Sequence, residues 1–351
     1  MTEFVEIHAI QPLGPNCINR DDGGDPKTIM LNGSLRARVS SQAWKKACRD
    51  MMRGMDLPDV GLRTKRVAVE VAQRGGVDVE DAKAVLKLAK AGLEGGKEGD
   101  DDAGALILIG SNTLDRLGAL TADYVAADDR AEWLADKANA KAVKAVLKED
   151  HAVDLALFGR MVASNPEYGV EAAANVAHAI GVGSFEPEYD FFSAVDDLRG
   201  AYGESDKGAG GAMIGDVAYG DSTVYRYAVV DMSRLESNLA GDHATAVRAA
   251  EAFVRAFLTS EPRGRVTSFA SRTLPAWFRV DVTDAPLSLV DAFTSSPVTG
   301  DNIPAAAAER LKAHAADLSR AYDISPSWSY DVEVGGDGTL AGALDGLEAA
   351  L

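Results

Sequence analysis

The sequence predicts an α+β fold in which two insertions interrupt a sandwich of helices and one small sheet. Three segments with alternating hydrophobicity, residues 4–10, 223–231 and 276–282, predict strands spread along the chain. Residues 55–150 are rich in Ala, Leu and Val with helical periodicity, which indicates a helical insertion. Residues 198–223 contain seven glycines, a composition typical of a mobile hairpin or loop. A split βαβ sheet of this kind is a common platform for single-stranded RNA.

Composition limits the class of protein. The chain has 351 residues, a formal net charge of -18 and a pI near 4.7, which argues against non-specific nucleic-acid binding. A charge reaches only about 8 Å at physiological ionic strength, so a local basic patch can oppose the mean. Cys17 and Cys48 match no metal-binding spacing and suggest a reducing compartment. Because the sequence has neither a signal peptide nor an apolar run of about 20 residues, we expect a cytoplasmic protein.

The first strand leads through a Gly-, Pro- and Asn-rich loop, residues 11–33, into a basic helix at residues 39–53. Ser40 or Ser41 stands where an N-cap belongs. At about 100° per residue, one face of the helix is polar and mostly cationic. That face carries Gln42, Lys45, Lys46, Arg49 and Arg53, and the opposite face carries Trp44, Ala47, Cys48 and Met51. The cationic face predicts phosphate binding, and the alternative is a charged face that is simply solvated.

The helical insertion predicts helices near residues 62–73, 79–91, 112–126 and 130–148, with a flexible acidic tip at residues 92–104. Its last helix places four lysines within a narrow arc, namely Lys137, Lys141, Lys144 and Lys148. On pattern alone we favour a solvated lysine face.

The rest of the chain predicts a strand at residues 154–161 and a helix at 171–180. Met213 and Ile214 lie in the middle of the glycine-rich insertion and predict its apolar tip. A helical stretch after the strand at 223–231 begins at Ser233 and runs to residue 258. Two helices, near residues 287–293 and 305–322, precede a weakly specified, Gly-rich tail.

No motif of a known catalytic site or cofactor site is present. The five histidines are widely spaced, and His178 lies in an apolar segment where we expect a core residue. Asp21 and Asp22 could bind a metal for phosphodiester cleavage, although two aspartates in a turn are usually structural. We therefore predict no cofactor and no metal site, since no nucleophile, base and oxyanion site come together in the sequence.

Short motifs carry a family resemblance over nearly the whole chain. The first two are CINRDD at residues 17–22 and RVSSQAWKKACR at residues 38–49. They are followed in order by LKED (147–150), VDLALFGRM (153–161), AHAI (177–180), FFSAVDDL (191–198), YRYAVVDMSRLESNLAG (225–241) and APLSLVDAF (285–293). Together they resemble the CasC-type backbone subunit of the type I-E CRISPR Cascade complex, a member of the RAMP superfamily.

The resemblance implies an RRM-like (ferredoxin-like) palm with a helical finger and a β-hairpin thumb. The palm is expected at residues 1–55, 151–197 and 224–351, the finger at 56–150 and the thumb at 198–223. It also implies a non-catalytic subunit that polymerises along crRNA as a helical filament, with no membrane partner. The thumb of one copy kinks the RNA held by its neighbour at regular intervals, and the exposed guide segments pair with target DNA in antiviral defence. The implied partners include the large, small, 5′-end cap and crRNA-processing subunits.

The resemblance also implies roles for particular residues. Residues matching the RNA-backbone contacts are Arg20, Ser40, Gln42, Lys45 and Arg49, and Lys46 is added from the same cationic face. Met161 matches an apolar wedge beside the kinked nucleotide, although its sequence context alone favours strand core. Lys141 and Lys148 match finger lysines that attract duplex DNA, and Lys137 and Lys144 share their face.

Two other classes of function stay open at this stage. One is a metal-dependent ribonuclease acting through Asp21 or Asp22, as in related backbone subunits of other CRISPR types. The other is a structural assembly protein without nucleic acid, which would leave the basic residues between 34 and 53 without a purpose.

Overall fold

Strand β1 (Phe4–Pro12) runs through the middle of an antiparallel sheet. The computed structural model describes residues 3–95, 102–194 and 213–351. Along its whole length β1 pairs with β10 (Thr223–Asp231), and on its other side it pairs with β11 (Trp277–Thr283). The other strands are β2 (Thr28–Leu31), β3 (Ser34–Val39), β4 (Leu62–Thr64), β5 (Ile107–Ile109), β6 (Ala174–Val176), β7 (Ala179–Gly181), β8 (Glu188–Ala194), β9 (Met213–Tyr219) and β12 (Trp328–Glu333). The main sheet has the order β12-β11-β1-β10-β7-β3-β2, and β6 also pairs with β10.

Helices cover both faces of this sheet and form the inserted block. They are α1 (Ser41–Met52), α2 (Val67–Gly75), α3 (Val79–Leu86), α4 (Ser111–Ala126), α5 (Arg130–Ala135), α6 (Lys137–Lys148), α7 (Val153–Phe158), α8 (Met232–Asn238), α9 (His243–Thr259), α10 (Val266–Phe269), α11 (Ile303–Tyr322) and α12 (Leu340–Ala350). Short 3₁₀ turns lie at Lys87–Ala89, Pro166–Tyr168 and Val290–Phe293. No helix in the described ranges is long and apolar enough to cross a membrane.

The two faces of β1 have different surroundings because side chains alternate along a strand. Val5, Ile7 and Ala9 point into the larger apolar core, which contains residues of α1, α7, α9 and α12. Ile10 belongs to a second core under α11 and the turn at Val290–Phe293. The predicted α+β class, with helices packed on an antiparallel sheet, is confirmed.

The helical block between β4 and α7 has an apolar core of its own. Residues of α2, α3, α4 and α6 surround this core, which is separate from the cores on the sheet. The predicted helices at residues 79–91, 112–126 and 130–148 correspond to α3 with its 3₁₀ turn, α4, and α5 with α6. The predicted helix at 62–73 is partly wrong, since Leu62–Thr64 is a strand and α2 follows it. Within the predicted acidic tip, residues 96–101 lie outside the described residues.

Two predicted elements are wrong in type. Residues 153–158 are helical, and Val153–Leu157 are buried at every position, so hydrophobic periodicity could not separate a short helix from a strand. The Ala-rich stretch at 171–180 contains the short strands β6 and β7, because pairing with β10 outweighs intrinsic helix propensity.

Other differences concern elements that the sequence marks weakly. The loop at residues 11–33 includes β2, which forms a hairpin with β3. Asp231 caps α8 in place of the predicted Ser233, and the tail contains both β12 and α12. In the glycine-rich insertion, β8 pairs with β9 as a separate two-stranded sheet, so the hairpin begins at Glu188. Residues 195–212 lie outside the described residues, as do the side chains of Met213 and Ile214, whose tip assignment stays a prediction.

Candidate nucleic-acid interface

The start of α1 is fixed to the loop that carries Arg20. The Ser40 side chain accepts a hydrogen bond from the Ala43 N–H at 3.4 Å, as expected of an N-cap. The backbone N–H of Ser40 donates to Asn19 Oδ1 at 2.8 Å. Arg20, the next residue along the loop, is exposed. The loop that carries Arg20 is therefore joined to the N-terminus of α1, the positive end of the helix dipole.

The predicted cationic face of α1 is only partly on the surface. Gln42, Lys46 and Arg53 are exposed, but Lys45 is half-buried and Arg49 is 8% exposed. Burial lowers the pKa of Lys45, and no salt bridge to this lysine is present in the described structure. The helical pattern did not predict this burial of Arg49, and its contact with RNA stays a prediction.

Arg49 faces a buried carboxylate on α7. Its Nε lies 3.8 Å from Oδ2 of Asp154, which has no exposed surface. Burial raises the pKa of Asp154, while the N–H of Gly61, which donates to its Oδ1 at 2.7 Å, and the Arg49 charge lower it. Burial likewise lowers the pKa of Arg49, and Asp154 opposes that shift. Arg49 therefore joins α1 to α7 and is not a free surface cation.

Other cations of the basic segment are also engaged. Arg36 is fully buried and donates to the carbonyl oxygens of Gly181 at 3.2 Å and Val182 at 2.7 Å. Asp50 pairs with Lys46 and, at 3.6 Å, with Arg53. Such exposed pairs are weak and can exchange for phosphate contacts.

A cleft of about 660 Å³ runs beside α1, and its second wall is the segment after α9. Lys46, Ala47 and Met51 line one side of this cleft. Arg263 and Arg272, which are both exposed, line the other. Neither arginine forms a salt bridge with a described residue. This wall was not predicted from the sequence, although the EPRGR run at residues 261–265 is a signal for it.

Close backbone packing holds this second wall against the loop before β2. A Cβ at Gly264 would lie 2.4 Å from the carbonyl oxygen of Ile18, so only glycine fits there. Arg265 and Arg20 both lie near the Cys17 thiol. Burial raises the pKa of that thiol, and the two guanidinium charges act against the shift. Arg20 and Arg265 thus lie close to the same thiol, together with Asp21 and Asp25.

Met161 is fixed on the surface with its side chain 87% exposed. The preceding Arg160 is buried and donates to Asp150 Oδ2 at 2.6 Å and to the carbonyl oxygens of Tyr168 and Leu147. Arg160 also exchanges two backbone hydrogen bonds of 2.8 Å with Val170. The expectation of strand core at Met161, from sequence context alone, is wrong because these bonds turn the neighbouring side chain outward.

The β8–β9 hairpin presents two aromatic rings that were not predicted from the sequence. Tyr189 is 61% exposed and Phe191 is 70% exposed. They are two residues apart on β8 and therefore share one face of the hairpin. Exposed aromatic rings on a strand are typical stacking surfaces for unpaired bases.

The predicted finger lysines differ in their surroundings. Lys137 and Lys141 are exposed on α6 and Lys144 is half-buried. Lys148 forms a salt bridge of 2.9 Å with Glu167, whose pKa is lowered by that contact. Lys148 is therefore a partly neutralised cation, while Lys137 and Lys141 form no salt bridge with described residues.

The aspartates of the ribonuclease alternative lie in a turn. Asp21 Oδ1 accepts hydrogen bonds from the N–H groups of Gly23 at 2.9 Å and Asp25 at 3.0 Å, which is the geometry of a structural Asx turn. His178 is exposed beside Arg38, at 3.2 Å, so its expected core position is wrong.

Comparisons with known proteins add a family and two structures. A family model described as "CT1975-like protein" matches residues 5–341. A solved structure described as "CRISPR RNA-guided surveillance complex, pre-nicking" contains a chain that is 32% identical, with a TM-score of 0.82 and 99% of each chain covered. A second, described as "CRISPR RNA-guided surveillance complex", matches at 29% identity and a TM-score of 0.74, covering 99% of this chain and 100% of the other. No curated protein matches the chain.

Proposed function

Because the chain belongs to the CT1975-like protein family, we propose that it is a non-catalytic backbone subunit of a CRISPR RNA-guided surveillance complex. The resemblance to the CasC-type Cascade subunit is confirmed and is the basis of this proposal. Copies of the chain polymerise along one crRNA, grip its phosphates, kink it at regular intervals and present guide segments to target DNA. The remaining subunits of the complex and other copies of the chain are its protein partners.

The observation that carries the proposal is the exposure of Met161. A methionine that is 87% exposed contributes almost nothing to the stability of the fold. The hydrogen bonds of the neighbouring Arg160 nevertheless hold the backbone in place at this position. An unbranched, polarizable thioether can pack against any base. This is what a subunit needs if it separates nucleotides without reading their identity.

Cations near α1 support a grip on the RNA backbone, although only Arg263 among the three named here lines the cleft. Arg20, Lys45 and Arg263 have no carboxylate partner in the described part of a chain whose net charge is -18. Phosphate contacts fix the path of a nucleic acid without reading sequence. A guide-holding protein must accept every spacer, and such contacts meet that requirement.

A purified complex tests the proposal directly. The chain is co-expressed with the other subunits and a CRISPR array, and the RNA is extracted from the assembly. We expect one discrete RNA that matches the array. A complex that assembles without RNA at low salt would overturn the guide-binding role.

Lys45→Ala tests the backbone contact. Removing one phosphate contact to a single strand should reduce the salt slope of log K by about 0.7, equally for all guide sequences. Lys87→Ala, an exposed lysine in the helical block, is the charge-matched control and should leave the slope unchanged. Weaker binding restricted to some guide sequences would contradict backbone gripping.

The non-catalytic part of the proposal has its own test. Labelled RNA is incubated with the complex and Mg²⁺, and Asp21→Ala with Asp22→Ala serves as the comparison. We expect no cleavage by either protein. Cleavage that disappears in the double variant would establish the ribonuclease alternative.

A further inference from the structure

Three potential metal ligands meet on the face of the sheet below α11. Glu6 and His8 are two residues apart on β1 and share that face, and Asp281 lies directly opposite Glu6 on β11. The three residues are 5%, 2% and 5% exposed. One ligand atom of each lies within 4.8 Å of the others.

Each of these side chains also has a hydrogen-bond partner outside the group of three. Tyr227 and the N–H of Leu287 donate to Glu6 Oε1 at 2.6 and 2.5 Å. Ser329 donates to Asp281 Oδ1 at 2.5 Å. His8 Nδ1 lies 2.8 Å from the Tyr225 hydroxyl. Outer hydrogen bonds of this kind are typical of residues that hold a metal.

The remaining histidine nitrogen has no hydrogen-bond partner among the described residues. His8 Nε2 faces Asp281 Oδ2 at 3.8 Å, which is too long for a hydrogen bond. When His8 Nδ1 donates its hydrogen to the Tyr225 hydroxyl, Nε2 carries the free lone pair of the neutral ring and can serve as a ligand. The unpartnered nitrogen of this buried side chain therefore faces the Asp281 carboxylate, and Glu6 belongs to the same cluster.

Among the described residues, no lysine or arginine forms a salt bridge with either carboxylate. Arg279 is the nearby cation, and it is engaged by Asp331 on β12 through contacts of 2.8 to 3.2 Å. A buried charge must be paired, neutralised by a proton or bound to a cation.

We propose that Glu6, His8 and Asp281 form a site for a divalent first-row transition cation, with Zn²⁺ as the best match. One imidazole and two carboxylates are a ligand set that Zn²⁺ accepts, whereas Mg²⁺ and Ca²⁺ prefer oxygen ligands alone. Such an ion would join β1 to β11 at the centre of the sheet. The site lies apart from the basic cleft beside α1 and does not depend on the proposed function.

Metal content and thermal stability test the site in the full-length chain without a polyhistidine tag. After incubation with Zn²⁺ and dialysis, we expect about one ion per chain by mass spectrometry and a melting temperature that rises by about 3 °C. Mg²⁺ at the same concentration should leave the melting temperature unchanged.

Two conservative variants locate the ion. Asp281→Asn and His8→Gln should each lose the bound Zn²⁺ and the rise in melting temperature, while far-ultraviolet circular dichroism reports their folding. His243→Gln removes an exposed histidine paired with Glu236 and should keep both signals. If a variant does not fold, Glu6→Gln replaces it. Wild-type protein without stoichiometric Zn²⁺ or a thermal shift overturns the proposal, and so does binding that survives in folded variants.

Discussion

At the scale of single residues, arginines in this chain often act inside the fold. Arg226 is fully buried. Its guanidinium carbon Cζ lies 3.6 Å from the ring centroid of Trp44 and 4.3 Å from the ring centroid of Phe257. Arg36 and Arg160 are buried as well and donate to backbone carbonyl oxygens. A count of arginines in the sequence therefore overstates the positive charge that a phosphate chain can reach.

Arg49 shows how this affects mutational tests. Arg49→Ala leaves the Asp154 carboxylate buried without its partner, so we expect the free energy of unfolding to fall by about 3 kcal/mol. Arg49→Ala with Asp154→Asn should recover most of this stability, because the neutral amide needs no counterion. Urea denaturation of the two variants measures both effects.

Measuring the RNA affinity of the same two variants separates the structural role of Arg49 from a role in RNA binding. If the double variant regains stability but not RNA affinity, Arg49 also contacts RNA, as the family resemblance implies. An Arg49→Ala variant as stable as the wild type would contradict the structural role given to the ion pair.

At the scale of elements, the helices that could be predicted are the long amphipathic ones. The polar and apolar faces of α1 could be assigned from the helical spacing of its residues, and Ser40 is recognisable as its N-cap. The strands β6 and β7 are three residues each, and only their pairing with β10 defines them. The cleft wall around Arg263 could not be predicted from local sequence either, because a long-range contact positions it. The backbone of Gly264 packs on that of Ile18 and so places the wall beside α1.

The β8–β9 hairpin gives a prediction at this scale. Tyr189→Ser with Phe191→Ser removes two exposed rings, so stability should change by less than about 0.5 kcal/mol. Base stacking on such rings contributes about 1–3 kcal/mol per base, so losing both rings should lower the affinity for single-stranded RNA by about 30-fold or more. Fluorescence anisotropy with labelled RNA measures the change.

An exposed aromatic residue elsewhere provides the control for the hairpin variant. Tyr322 on α11 is 68% exposed, and Tyr322→Ser should leave RNA affinity at the wild-type value. An equal fall in affinity for both proteins would mean that the hairpin rings have no special part in binding.

At the scale of the whole molecule, an acidic chain can attract nucleic acid only where its basic residues are grouped together. The net charge of -18 repels nucleic acid at long range, while screening confines each charge to about 8 Å. Cations gather in two places, the cleft beside α1, which Asp50 and Glu261 also line, and the lysine face of α6. Under the proposed function, the cleft would contact the bound RNA strand, and the α6 lysines would meet a duplex that approaches the assembled complex.

The lysines of α6 test this division. Lys137→Ala with Lys141→Ala in the assembled complex should weaken duplex-DNA binding and reduce the salt slope by about 0.9 for each phosphate that is no longer neutralised. Lys148→Ala should have a smaller effect, because Glu167 already compensates that charge at 2.9 Å. The crRNA content should stay unchanged in both variants, since α6 is separate from the α1 cleft. A drop in crRNA content, or an equal effect of Lys148→Ala on DNA binding, would show that the two surfaces do not act separately.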